Sequence, residues 1–132
     1  MKVILDTSAY SAFLRGHEPV VDELRRADRL VLTPIVLGEL LAGFRKGSRF
    51  EENLERLRDF LGSARVRAVS LDDETADRYS ILHDTLRRAG TPVPTNDLWI
   101  AASAMQHGLT LVTTDPHFRR LPQIVVSFHP VA

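Results

Sequence analysis

Five short apolar runs punctuate the chain, and most of them are continuous rather than alternating. They are Val3-Ile4-Leu5, Leu30-Val31-Leu32, Val66 to Val69, Leu109 to Val112, and Ile124-Val125-Val126. A strand with one face in water alternates apolar and polar residues, whereas a strand covered on both faces does not. Arg67 interrupts the third run and Thr110 the fourth. Segments of helical period separate the runs. This alternation predicts a parallel sheet with right-handed crossovers. The expected class is α/β: a three-layer α/β/α sandwich around a central, mainly parallel sheet of about five strands.

Several helices carry recognisable ends. Thr33-Pro34 opens one through about Phe44, with proline at the first helical position. Phe50, Leu54, Leu57 and Leu61 form a stripe, with Ser48 and Glu51 matching a capping box and Gly62 as the stop. Ala76, Tyr79, Leu82, Leu86 and Ala89 form another, between Asp72 as N-cap and Gly90. Thr95 or Asn96 is the expected cap of a helix that runs through His107 to Gly108.

A chain of 132 residues fits one domain, read here as 1–132. It has no cysteine, so disulfides, thiolate zinc sites and cysteine nucleophiles are excluded. The first acid, Asp6, arrives before any apolar leader could form, and the longest apolar stretch carries Pro34 and Glu39. The expectation is a soluble, cytoplasmic protein without a membrane segment. The 17 basic and 17 acidic residues balance, and only Lys2 and Lys46 among the bases are lysine.

The acids fall in informative places. Asp6 follows the first run directly, and Asp115 follows the fourth after Thr113-Thr114. The carboxyl ends of strands in an open parallel sheet line its ligand crevice. Glu39 is the one charge within Ile35 to Phe44, and Asp97 opens the apolar segment Asp97 to Met105. A helix apolar on every side is expected to be buried, where a carboxylate needs a partner or a metal. Each acid also has an ordinary explanation: helix capping for Asp6, Asp97 and Asp115, an arginine bridge for Glu39. Taken together, four acids in one crevice would repel one another, and Mg²⁺ or Mn²⁺ would relieve that repulsion. Such a centre can activate water for phosphodiester hydrolysis without a serine, cysteine or histidine nucleophile. Setting the four aside leaves the rest of the chain mildly basic, which suits a polyanionic substrate. Ser8 and Thr113 stand beside the acids as candidate orienting groups.

The segments Asp6-Thr7-Ser8, Gly38-Glu39-Leu40, Asn96-Asp97-Leu98-Trp99-Ile100-Ala101-Ala102 and Leu111-Val112-Thr113-Thr114-Asp115 resemble PIN-domain proteins, in particular the VapC toxins of toxin–antitoxin pairs. The resemblance spans nearly the whole chain in the family's order. It implies a PIN-like fold and a Mg²⁺- or Mn²⁺-dependent endoribonuclease, usually a homodimer, held in check by a VapB-type antitoxin. Its acidic metal and catalytic residues map onto Asp6, Glu39, Asp97 and Asp115, and its polar helpers onto Ser8 and Thr113. Many relatives carry a further acid two positions after the last one; here that position is His117. Arg15, Arg45, Lys46, Arg49 and His117 are candidate RNA contacts, against the plainer reading of solvated side chains.

Two other enzyme classes are disfavoured. A dehalogenase-like phosphatase needs a second Asp two positions after the first, where Ser8 stands. A receiver domain needs a late lysine, and none follows Lys46. The alternative from another class is a PIN-like RNA-binding or scaffolding protein without catalysis. The five histidines match no zinc-site spacing, and Trp99 is expected to pack in the core.

Overall fold

The computed structural model describes residues 1–131. Strand β1 (Lys2–Leu5) leads through helices α1 (Thr7–Leu14) and α2 (Glu18–Arg26) to β2 (Arg29–Leu32). Helices α3 (Pro34–Lys46) and α4 (Phe50–Leu61) precede β3 (Val66–Ala68). Helices α5 (Asp73–Ala89) and α6 (Thr95–His107) return the chain to β4 (Thr110–Thr113), and a short 3₁₀ turn (Pro116–Arg120) precedes β5 (Val126–Phe128). All strand pairs are parallel, in the order β3-β2-β1-β4-β5. The chain is the α/β sandwich expected from its apolar runs.

That strand order places the site. The chain steps outward from β1 to β2 and β3, then returns to the other side of β1 with β4. Neighbouring strands β1 and β4 therefore send their following loops in opposite directions and leave a crevice at their carboxyl ends. Val3, Ile4 and Leu5 of β1 and Leu111 and Val112 of β4 are wholly buried. Burial of each such side chain contributes roughly 1.5–3 kcal/mol, so the floor under the crevice is the most firmly packed part of the sheet.

Several ends form as the sequence predicts. Thr33 caps α3 through Val36 N–H, Asp72 and Thr75 form a reciprocal capping box on α5, and Gly90 and Gly108 close α5 and α6 with positive φ. Two predicted caps do not form. Gly47, Ser48 and Arg49 are all used by the turn between α3 and α4, so α4 starts at Phe50 and no side chain caps it. Arg45 instead lies over the Phe50 ring, 4.4 Å from its centroid. Helix α6 starts at Thr95 with Pro94 at the capping position, so Thr95 and Asn96 lie inside the first turn and cap nothing.

The last strand lies two residues later than its apolar run, pairing Leu111 with Val126 and Thr113 with Phe128. Val125 is left exposed. An edge strand buries little, so main-chain pairing with β4 rather than apolarity sets its register. The larger departure concerns α3, expected to be buried all round. Only Val36 and Leu40 are, while Pro34, Gly38, Ala42 and Gly43 face outward. Apolar composition came from small residues on an open face. By contrast, α6 is deeply embedded, with Leu98 and Ile100 to Ala104 buried. Trp99 stacks on Tyr79 with ring centroids 4.2 Å apart.

The buried Glu23 is also accounted for. Its Oε1 accepts from Ser127 Oγ at 2.7 Å and lies 2.5 Å from His129 Nε2, tying α2 to the end of β5. No helix among the described residues is long and apolar enough to cross a membrane.

Candidate active site: four carboxylates at the β1–β4 crevice

Asp6 is held by three separate donors. It leaves β1 and caps α1, accepting from Ala9 N–H at 2.8 Å. Ser8 Oγ stands 2.8 Å from Oδ1 and 2.9 Å from Oδ2, and Thr113 Oγ1 donates to Oδ2 at 2.5 Å. Each hydroxyl accepts in turn from the main chain after β4: Ser8 from Thr114 N–H at 3.0 Å, Thr113 from Asp115 N–H at 2.9 Å. The two hydroxyls predicted to orient the site thus stitch β1 to β4 through Asp6. Burial pushes the Asp6 carboxyl above the ordinary carboxylate range; these hydrogen bonds pull against that, and the charge of Asp115 adds to it.

Glu39 reaches the same crevice from the second turn of α3. Its Oε1 accepts from Thr7 Oγ1 at 2.7 Å and its Oε2 from Asn96 Nδ2 at 3.4 Å. The chain thus fastens both carboxylate oxygens without an arginine. Thr7 and Asn96 were not among the predicted site residues. Their signal was adjacency, Thr7 following Asp6 and Asn96 preceding Asp97. Asn96 can do this because Pro94, and not Asn96, holds the capping position. Glu39 itself is only partly buried, so the burial argument made for it from sequence was too strong. A shallow groove lined by Pro34, Ile35, Gly38, Ala42 and Asn96 runs beside it. A Cβ at Gly38 would meet nothing within 4 Å, so the glycine opens space outside the fold rather than within it.

Asp97 lies in the first turn of α6 and Asp115 just beyond β4. The Asp97 carboxyl is pushed up to about 6, first by burial and then by the charges of Asp115, Asp6 and Glu39, with His117 opposing. The charges of the three other carboxylates thus all act on Asp97 in the same direction. Among the described residues, no arginine or lysine lies within salt-bridge distance of any of the four. Asp97, Asp115 and His117 each offer a ligand atom, all within 4.8 Å of one another. Ligands on a divalent cation at 2.0–2.6 Å have separations of that order, so the residues present fit such an ion.

The 3₁₀ turn sets the far wall. Asp115 caps it through His117 N–H at 2.9 Å, and wholly buried Phe118 anchors it. The proposed basic contacts lie elsewhere. Arg15 ends α1, at the opposite end from Asp6, roughly 12 Å along the axis. Arg45 and Lys46 end α3, and Arg49 occupies the turn before α4. The structure brings none of these four basic residues into the acid cluster.

The family model for the PIN domain matches residues 3–124. The chain belongs to the PIN-domain family. Among curated PIN-domain relatives, it is 33% identical over 92 residues to ribonuclease VapC4 of Mycobacterium tuberculosis, covering 70% of this chain and 71% of that one. It is 32% identical over 118 residues to ribonuclease VapC5 of the same organism, covering 89% and 86%. Among solved structures, VapBC2 from Rickettsia felis bound to a promoter DNA fragment superimposes with a TM-score of 0.85 at 26% identity, covering 98% of this chain and 99% of that one.

Proposed function

We propose that this PIN-domain chain is a metal-dependent endoribonuclease, the toxin of a VapBC-type toxin–antitoxin pair, with Asp6, Glu39, Asp97 and Asp115 as its metal-holding catalytic acids. The observation that carries this is the gathering of four carboxylates from the end of β1, α3, α6 and the β4 loop about one crevice, with no lysine or arginine among the described residues within salt-bridge distance of them. The kinship to ribonucleases VapC4 and VapC5 gives the substrate class. Kinship to VapBC complexes gives the partner, a VapB-type antitoxin. A homodimer and a cytoplasmic location, beside the RNA, belong to the same proposal, as does a single domain over 1–132.

In this mechanism the four acids would hold Mg²⁺ or Mn²⁺, which would supply activation of water and stabilisation of charge on the phosphoryl oxygens. The protein's own part is orientation. Ser8 and Thr113 keep Asp6 in one rotamer, and Thr7 and Asn96 do the same for Glu39. Donors of this kind fix the direction of a ligating carboxylate and raise its affinity for metal. The exposed face of α3 beside Glu39 leaves the crevice open on one side for a strand of RNA. No serine, cysteine or histidine nucleophile is needed, because activation of water is the chemistry that a metal held by these acids would supply.

The test is cleavage of single-stranded and structured RNA with Mn²⁺, with Mg²⁺ and with chelator. Cleavage that needs metal and disappears in Asp6→Asn supports the proposal. RNA binding without cleavage under every metal condition would favour a non-catalytic RNA-binding protein instead.

A further inference from the structure

The geometry points to His117 as a nitrogen donor to the metal held by Asp97 and Asp115, and hence to a site that favours first-row transition dications over Mg²⁺. This rests on the metal-dependent nuclease proposed above. Asp97, Asp115 and His117 form a group of three residues whose ligand atoms all lie within 4.8 Å of one another. The group is therefore not purely acidic. His117 Nδ1 is buried, lies 3.1 Å from Asp115 Oδ1, and makes no hydrogen bond. The rest of the ring is open to solvent, with the side chain 45% exposed. One nitrogen is thus turned toward the carboxylates, and among the described residues it makes no hydrogen bond.

The backbone that carries the ring is held: the main-chain N–H of His117 donates to Asp115 Oδ1 at 2.9 Å, and the next residue, Phe118, is wholly buried. These two contacts anchor the backbone that carries His117 to the core and to Asp115. Mg²⁺ binds oxygen almost exclusively and keeps several waters, whereas imidazole suits first-row transition metals, with affinity rising from Mn²⁺ to Co²⁺. A carboxylate at this position would leave an all-oxygen set with no such bias. The competing role for His117 is a simple ion pair that steadies Asp115, which would help every cation alike.

Calorimetric titration of the metal-free protein with Mg²⁺, Mn²⁺ and Co²⁺ separates the two, using wild type, His117→Ala and His117→Asp. We expect His117→Ala to weaken Mn²⁺ and Co²⁺ by about tenfold or more while Mg²⁺ changes little, in line with the loss of a metal-site interaction. His117→Asp should strengthen Mg²⁺ relative to Mn²⁺. Pulsed EPR of bound Mn²⁺ should show coupling to an imidazole nitrogen in wild type and in neither variant. Equal weakening of all three metals in His117→Ala, or no nitrogen coupling in wild type, overturns the assignment while leaving the nuclease proposal standing. Failure of wild type to bind any of the three metals overturns both.

Discussion

The hydroxyl of Thr7 donates to Oε1 of Glu39 across 2.7 Å, although the two residues lie 32 positions apart. The bond joins the first turn of α1 to the middle of α3. It ensures that Glu39 faces the same space as Asp6, the residue preceding Thr7. Thr7→Val removes this donor with almost no change in shape. It should lower the RNA-cleavage rate by about 10- to 100-fold and weaken metal binding, as losses of orienting partners do. Thr7→Ser keeps the hydroxyl and should retain most of both. Cleavage kinetics with metal titration on the two variants measures this; equal behaviour of Val and Ser would remove Thr7 from the positioning of Glu39.

Phe118 supports the opposite wall. It is wholly buried, and it follows the two residues that face Asp97. Phe118→Ala should cost about 3–5 kcal/mol of stability and weaken metal binding beyond what partial unfolding explains. Denaturant unfolding, followed by metal titration under conditions where the variant is folded, checks both parts.

Tyr10 carries an unmet cost. Its buried hydroxyl has no hydrogen-bond partner among the described residues, and burial pushes its pKa up to about 12, with Arg56 opposing. The ring itself packs edge-on against Phe60 with centroids 5.2 Å apart. Tyr10→Phe keeps that contact and removes the unpaired hydroxyl, so it should raise stability by about 1 kcal/mol. A lower unfolding midpoint would show that the hydroxyl has a partner.

The α/β class and the carboxyl-end placement of Asp6 and Asp115 were legible because continuous apolar runs and strand-end acids are local signals. The convergence of Glu39 and Asp97 on the same crevice was not, because it depends on how α3 and α6 pack beside α1. The exposed side of α3 was misread for a related reason. Proline, glycine and alanine count as apolar or neutral in a pattern, yet cost little when left in solvent. The late start of β5 escaped because an edge strand is held by main-chain pairing, which no side-chain pattern reports. Thr7 and Asn96 were overlooked since a hydroxyl and an amide next to acids look like ordinary helix-start residues.

The raised carboxyls give a definite pH dependence. Asp97 titrates at about 6 in the folded chain against an ordinary value of 3.8, and Asp6 is shifted in the same direction. Between those pH values the native state binds more protons than the unfolded chain. The stability these groups contribute is therefore complete below about pH 4 and is lost as pH rises through about 6. Unfolding of metal-free protein at pH 5 and pH 7.5 should show this loss in wild type, and a smaller loss in Asp97→Asn measured alongside. Identical pH dependence in the two proteins would mean that Asp97 is not the titrating group.

Asp97→Asn also provides the most direct test of the shared acid site, and a cleaner one than Asp6→Asn. Asp6 accepts from Ala9, Ser8 and Thr113, so an amide there sacrifices hydrogen bonds as well as charge. Asp97 is raised by burial and by Asp115, Asp6 and Glu39. The decisive measurement is a set of thermal melts at pH 8 on wild type and Asp97→Asn, each with chelator and with Mn²⁺, paired with RNA cleavage on the same samples. With chelator the variant should be more stable, by on the order of 1 kcal/mol once solvent screening is allowed for. With Mn²⁺ the order should reverse, because wild type gains more from binding, and only wild type should cut RNA. A variant less stable than wild type in chelator, or cutting RNA as fast as wild type with Mn²⁺, would contradict a repulsive four-carboxylate metal site.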